Sequence, residues 1–190
     1  MGCDTAVIFA GGRSSRMKQD KALLPFGEEP TLAEFQYRRL QKLFTNVYIS
    51  SKSNKFNFSA ELIEDNYSES SPMVALVSIF ETLKVDEVFV LSVDAPFVTE
   101  EIIEKLYRDA KKEVDVVVAH SKERIEPLCA IYRRSCLALA IRALKENKHG
   151  LQRLFKRLNV QEVNFKEEDS FMNLNYPQDY SDALLRSSIT

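Results

Sequence analysis

Residues 5–21 read TAVIFAGGRSSRMKQDK, and this stretch decides both the fold class and the place to look for chemistry. Residues 6–10, AVIFA, form an unbroken apolar run with the character of a strand buried on both faces, as parallel strands are. Gly11 and Gly12 follow, removing side chains where the backbone must turn or let a ligand come close. The chain holds only five glycines, fewer than the average share of ~7% would give, so an adjacent pair at a strand end carries information. Arg13, Arg16, Lys18 and Lys21 then set four cations within nine positions. A glycine loop whose amides face a ligand, followed by cations, is the electrostatic outline of a nucleotide triphosphate site. The plainer reading is a tight turn after an edge strand, with solvated basic side chains. The loop is not a Walker loop, because no Gly-Lys-Ser/Thr follows it, and it is not the G-x-G-x-x-G dinucleotide fingerprint.

Downstream, the hydrophobic pattern alternates between helix and strand. Residues 31–44 put Leu32, Phe35, Leu40, Leu43 and Phe44 near one helical face, with Thr31 as N-cap and Glu34 in the capping-box position. Residues 46–50 and 61–63 read as strands, and 72–83 as a helix with Pro72 in its first turn. Residues 87–93, EVFVLSV, read as a buried strand, 99–112 as an amphipathic helix and 115–119 as a strand. Beyond about residue 120 the expectation is a strand at 127–132, helices at 135–146 and 151–158, and a strand at 160–165. A short strand and turn at 170–177 then lead to a last helix at 178–185. Residues 50–57, rich in Ser, Lys and Asn, read as a mobile loop. Such alternation argues for an open, mostly parallel α/β sheet covered by helices, which binds ligands at the carboxyl ends of its strands.

Asp94 stands at such an end, closing the apolar run before Ala95-Pro96. A carboxylate there suits Mg2+, which takes oxygen ligands and commonly joins one or two carboxylates to substrate phosphates. The alternative is an aspartate that opens a turn by bonding the next amides.

Composition narrows the classes. With 190 residues, 45% of them hydrophobic, the chain is expected to fold as one domain, residues 1–190. A net charge of -2, from 26 basic and 28 acidic residues, gives no basic footprint for nucleic acid. No apolar run approaches the ~18 residues of a membrane span, and MGCDTAVIFA lacks the pattern of a secretory signal, so a cytoplasmic setting without membrane contact is expected. Cys3, Cys129 and Cys136 match neither a zinc spacing nor a disulfide scaffold and read as free thiols, the latter two packed. His120 and His149 have no partner at metal-ligand spacing.

Phe9-Ala10-Gly11-Gly12-Arg13-Ser14-Ser15-Arg16-Met17, followed by Asp20-Lys21, closely resembles the signature of the molybdenum cofactor guanylyltransferases, within the sugar-nucleotide-like nucleotidyltransferase superfamily. The resemblance runs from Phe9 to about Pro177. It implies a three-layer α/β/α Rossmann-like fold, with a nucleotide-binding half at about 1–98 and a pterin-substrate half at about 99–190. It implies GTP and molybdopterin as substrates and Mg2+ as the cofactor, with transient contact to proteins that deliver the cofactor or mature molybdoenzymes. The loop residues Phe9, Ala10, Gly11 and Gly12, with Lys21, would hold GTP, and Asp94 would bind both magnesium and nucleotide. Arg16, Lys21 and Asp94 become the candidate catalytic residues. Asp65, closing the segment ELIED, matches an aspartate that contacts the guanosine nucleotide. Asn173 and Asn175 match an Asn-x-Asn on the pterin side, although locally the pair also reads as an Asx-turn into the last helix.

Two departures stand out. The family's asparagine after the second strand falls here at Ser50 or Ser51, and Ser71-Pro72-Met73-Val74-Ala75 replaces Gly-Pro-Leu-Ala-Gly. The double glycine favours guanine over the cytosine of related cytidylyltransferases. The competing readings are a relative using CTP or a sugar phosphate, and a GTP-binding regulatory protein without turnover.

Overall fold

The run that opens the chain becomes β1 (Thr5–Phe9), in the interior of a seven-stranded sheet. The computed structural model describes residues 4–11, 17, 19–67, 69–122, 124–166 and 169–187. The remaining strands are β2 (Asn46–Ser50), β3 (Glu61–Ile63), β4 (Glu87–Ser92), β5 (Val116–His120), β6 (Ile125–Arg133) and β7 (Val160–Asn164). The helices are α1 (Leu32–Leu40), α2 (Pro72–Thr82), α3 (Glu100–Asp109), α4 (Leu137–Lys145), α5 (Leu151–Phe155) and α6 (Pro177–Ser187).

The spatial order is β3-β2-β1-β4-β6-β5-β7, with β6 antiparallel to both neighbours and the other pairings parallel. Alternation along each strand divides the core. Ala6, Ile8, Phe89 and Leu91 face α1, α3 and α6, whereas Val7, Phe9, Val88 and Val90 face α2, α4 and α5. Both faces are covered, as the unbroken apolar runs require, and the three-layer α/β/α arrangement follows. After β1 the chain moves outward to β2, while β4 returns to the other side of β1, so the two carboxyl ends flank a switch point.

Local signals explain the boundaries. The Thr31 hydroxyl caps α1 by accepting from the Glu34 amide at 3.1 Å, but the Glu34 carboxylate turns to Arg38 one turn on, so only half of the capping box forms. Ser71 caps α2 in the same way, with Pro72 in the first turn. In β6, Val118 pairs with Ala130 but Ala119 pairs with Glu126, an irregularity that leaves Pro127, Leu128 and Cys129 out of the ladder on the β5 side. Proline needs no ladder donor there, and its carbonyl accepts from the Tyr132 hydroxyl at 2.8 Å.

The segment 170–177 departs from expectation. Instead of a strand it is a 3-10 turn, Asp169–Phe171, followed by irregular chain. Phe171 and Leu174 are buried, and the Leu174 amide donates to the Asp94 carbonyl rather than to a ladder. Beyond Ser50 the stretch to 57 is loop, as expected, with Phe56 packed into the core and Lys55 making polar contacts. Cys129 and Cys136 are buried free thiols; burial pushes the Cys136 thiol up to about 12. Among the described residues no helix is long and apolar enough to cross a membrane.

Candidate functional site

The site forms where β1 and β4 end side by side. The Val93 amide donates to the Phe9 carbonyl at 3.0 Å and the Ala10 amide to the Ser50 carbonyl at 3.0 Å, which ties the start of the glycine loop to both neighbouring strand ends. Lys55 then grips the loop at its two bases. Its ammonium donates to the Ala10 carbonyl at 3.1 Å and pairs with the Asp20 carboxylate. The other Asp20 oxygen accepts from the Ala22 amide at 3.1 Å and caps the 3-10 turn Lys21–Leu23.

That turn aims Lys21 across the strand ends. Its ammonium lies 2.6 Å from Asp94 Oδ2 and donates to Asn175 Oδ1 at 3.2 Å, so three residues far apart in sequence meet at one point. The Ser92 hydroxyl donates to Asp94 Oδ1. Both carboxylate oxygens are therefore engaged, in a site only 15–16% exposed at Lys21 and Asp94.

Two cavities flank this point and share Ser92 and Leu128 in their walls. The first, of about 190 Å³, is lined by Phe9, Gly11, Ser50, Asp65, Ser71 and Ala75, among others. The second, of about 220 Å³, is lined by Asp94, Glu126, Phe171, Asn173 and Asn175, among others. The β6 irregularity delivers Glu126 and Leu128 to this border, and Arg124 holds Glu126 Oε1 at 2.7 Å.

Within the first cavity, Asp65 is the notable group. Its Oδ1 is buried without a hydrogen-bond partner, and burial raises its pKa, opposed by the charge of Lys52. A buried carboxylate oxygen without a donor is costly unless a ligand supplies one. Gly11 answers a different question. Among the described residues a Cβ there would meet no atom within 4 Å, so their packing does not require glycine and the free side faces open space. Ser71 is tolerated where the family has glycine because its backbone is extended (φ -157°). Its hydroxyl also meets His149 Nδ1 at 3.2 Å.

Of the residues expected from sequence, Lys21 contacts both Asp94 and Asn175, and Phe9, Gly11, Ser50 and Asp65 line one cavity. Asn173 lines the other. Ala10 lines neither, and its carbonyl is taken by Lys55. Gly12 and Arg16 lie outside the described residues. Asn175 does not form the Asx-turn that was the alternative reading, because Asp179 accepts from the Asn175 and Tyr176 amides and opens α6 itself. Sequence reasoning passed over Ser92, Lys55 and Glu126. The first was legible as the lone hydroxyl in VFVLSV, two positions before Asp94.

Residues 6–163 match the model of the MobA-like NTP transferase domain. The chain belongs to the MobA-like NTP transferase family. A molybdenum cofactor guanylyltransferase of Campylobacter jejuni is 37% identical over 92% of this chain and 92% of its own length. One from Helicobacter pylori is 34% identical over 92% of this chain and 88% of its own. Among solved structures, molybdopterin-guanine dinucleotide biosynthesis protein A of Archaeoglobus fulgidus superposes with a TM-score of 0.84, covering 98% of this chain and 100% of that one at 23% identity. The 2-C-methyl-D-erythritol 4-phosphate cytidylyltransferase of Thermus thermophilus gives 0.73, with 97% and 99% covered at 15% identity. Those two likenesses are of fold, and the second belongs to a cytidylyltransferase. Within this MobA-like family, the strand-end site described above is where nucleotidyl transfer is to be sought.

Proposed function

We propose that the chain is a cytoplasmic molybdenum cofactor guanylyltransferase, which transfers GMP from GTP to molybdopterin and releases pyrophosphate. The observation that carries this reading is the meeting of Lys21, Asp94 and Asn175 next to Ser92, which bonds Asp94 and stands at the border of the two cavities. Two substrates in those cavities would bring a phosphate of each to that border. GTP fits the first cavity, where the unpartnered Asp65 oxygen can accept from the adjacent N1 and N2 donors of guanine. The pterin fits the second, where Asn173, Asn175 and Glu126 offer donors and acceptors.

The terminal phosphate of the pterin supplies an oxygen that attacks the α-phosphorus of GTP. A P–O bond forms there as the bond to the β-phosphate oxygen breaks, and pyrophosphate takes the electron pair. A phosphate is already anionic at neutral pH, so no base is required, and catalysis reduces to positioning and charge neutralisation. Lys21 would move from Asp94 to the phosphates and, with Arg16, stabilise charge growing on the leaving group. Asp94 and Asn175 are suited to Mg2+: their oxygens already converge on a single cation, the Lys21 ammonium. When bound, Mg2+ would supply neutralisation of phosphate charge.

Titration calorimetry with GTP, CTP, ATP and UTP, with and without Mg2+, tests the nucleotide assignment. Formation of the dinucleotide from GTP and molybdopterin then tests the reaction. Preference for CTP would overturn the guanine assignment, and absence of nucleotide binding would overturn the enzymatic one.

A further inference from the structure

Below the turn that carries Asp94 lies a buried polar network that the chemistry above does not use. Every carbonyl from Ser92 to Pro96 accepts a hydrogen bond from outside the turn or across it. Gln36 of α1, with no solvent exposure, directs Nε2 to the Ala95 carbonyl at 3.0 Å and to those of Ser92 and Val93 at 3.4 Å. The Arg39 guanidinium donates to the Pro96 carbonyl at 2.7 Å and to Gln36 Oε1 at 2.6 Å. The Asp94 carbonyl is taken by the Leu174 amide at 2.9 Å.

This arrangement is expensive. Arg39 has no carboxylate within ion-pairing distance among the described residues, its Nε is buried without an acceptor, and burial lowers its pKa to about 10. Gln36 lies on the line Leu32–Gln36–Leu40, whose other two members are fully buried leucines. A third leucine would serve packing alone, and a buried polar network is retained at such a place when it fixes a geometry.

We infer that Gln36 and Arg39 are positioning residues for Asp94, holding the backbone of residues 92–96 so that the carboxylate keeps its place when Lys21 gives way to a divalent cation. The inference rests on the reading of Asp94 as a Mg2+ ligand. Neither side chain touches the ligands. Both act through the turn, as outer-shell partners of metal ligands do, where substitution costs about 10- to 100-fold in metal affinity.

The test is binding of Mn2+, as a spectroscopic substitute for Mg2+, to the GTP-loaded protein by electron paramagnetic resonance, alongside calorimetric GTP binding without metal. Gln36→Leu and Arg39→Met are expected to weaken Mn2+ binding about tenfold, with metal-free GTP affinity unchanged. Arg39→Lys keeps the charge and one donor; it is expected to fold and to show a smaller shift in the same direction. Folded variants that hold Mn2+ as tightly as the parent, with at most a lower Tm, would overturn the positioning role. Asp94→Asn is the control: if it too leaves Mn2+ binding intact, the metal assignment of Asp94 fails, and the inference with it.

Discussion

Lys21 and Asn175 touch across 154 positions of sequence, and the atom that joins them also holds Asp94. One ammonium thus gathers the glycine-loop region, the end of β4 and the segment before α6 into a single polar centre. Lys21→Ala and Asp94→Ala should each lower turnover by at least ~100-fold, as loss of one preorganised charge does. Steady-state pyrophosphate release checks this, with circular dichroism showing that each variant is folded. Near-normal turnover in either would remove that residue from the chemistry.

Gly11 separates ligand approach from folding. Since a Cβ there meets no atom of the described residues within 4 Å, Gly11→Ala should change stability by no more than ~0.5 kcal/mol, as surface substitutions do. Affinity for GTP should nevertheless fall by about tenfold, because the methyl group enters the space where a phosphate nears the backbone. Calorimetry and a thermal melt on the same variant read both quantities. A lower Tm with unchanged affinity would reverse the assignment.

Asp65 carries a conflict between stability and binding. Its folded pKa is raised by burial, so the protonated carboxyl is the favoured form: stability is fully present below the unfolded value of about 4 and is lost as pH rises through the folded value, where the buried carboxylate is a liability. Asp65→Asn should therefore melt at a higher temperature than the parent at pH 7, with the difference vanishing as the pH falls below about 4. GTP binding should weaken by about tenfold or more, because an amide donor would face the donors of guanine. Melts across the pH range, paired with GTP titrations, examine both effects.

Lys55 should matter to the triphosphate and not to the base. It joins Ala10 at the start of the loop to Asp20 at its end, so Lys55→Met should loosen the loop and lower kcat/KM for GTP by roughly ten- to a hundredfold. Binding of guanosine, which lacks phosphates, should be unaffected. Equal losses for GTP and guanosine would show that Lys55 shapes the whole cavity instead.

The sequence made the parallel half of the molecule legible because residues buried on both faces of a strand leave unbroken apolar runs, as in AVIFA and VFVLS. Asp94 and Lys21 were legible for a related reason: each is charged directly beyond a strand or a loop that can do little else. What escaped notice was held by contacts with no local trace. Residues 170–177 read as a short strand because Met172, Leu174 and Tyr176 alternate with Asn173 and Asn175, yet the Leu174 amide bonds the Asp94 turn instead of a ladder. The role of Lys55 is hidden in a polar stretch that reads as loop. Gln36 left the clearest missed mark, a carboxamide on the buried line of an amphipathic helix.

The dependence of the polar centre on Asn175 also sets a timetable. During synthesis the chain emerges from its N-terminus, and all seven strands are out once Asn164 has appeared. At that moment Lys21 still lacks Asn175, the Asp94 carbonyl lacks the Leu174 amide, and Tyr180 of α6 has not yet reached the Pro25 carbonyl. The strands alone thus leave the cleft unfinished, with its cations and its carboxylate in place but without the closing C-terminal segment that turns them into one site.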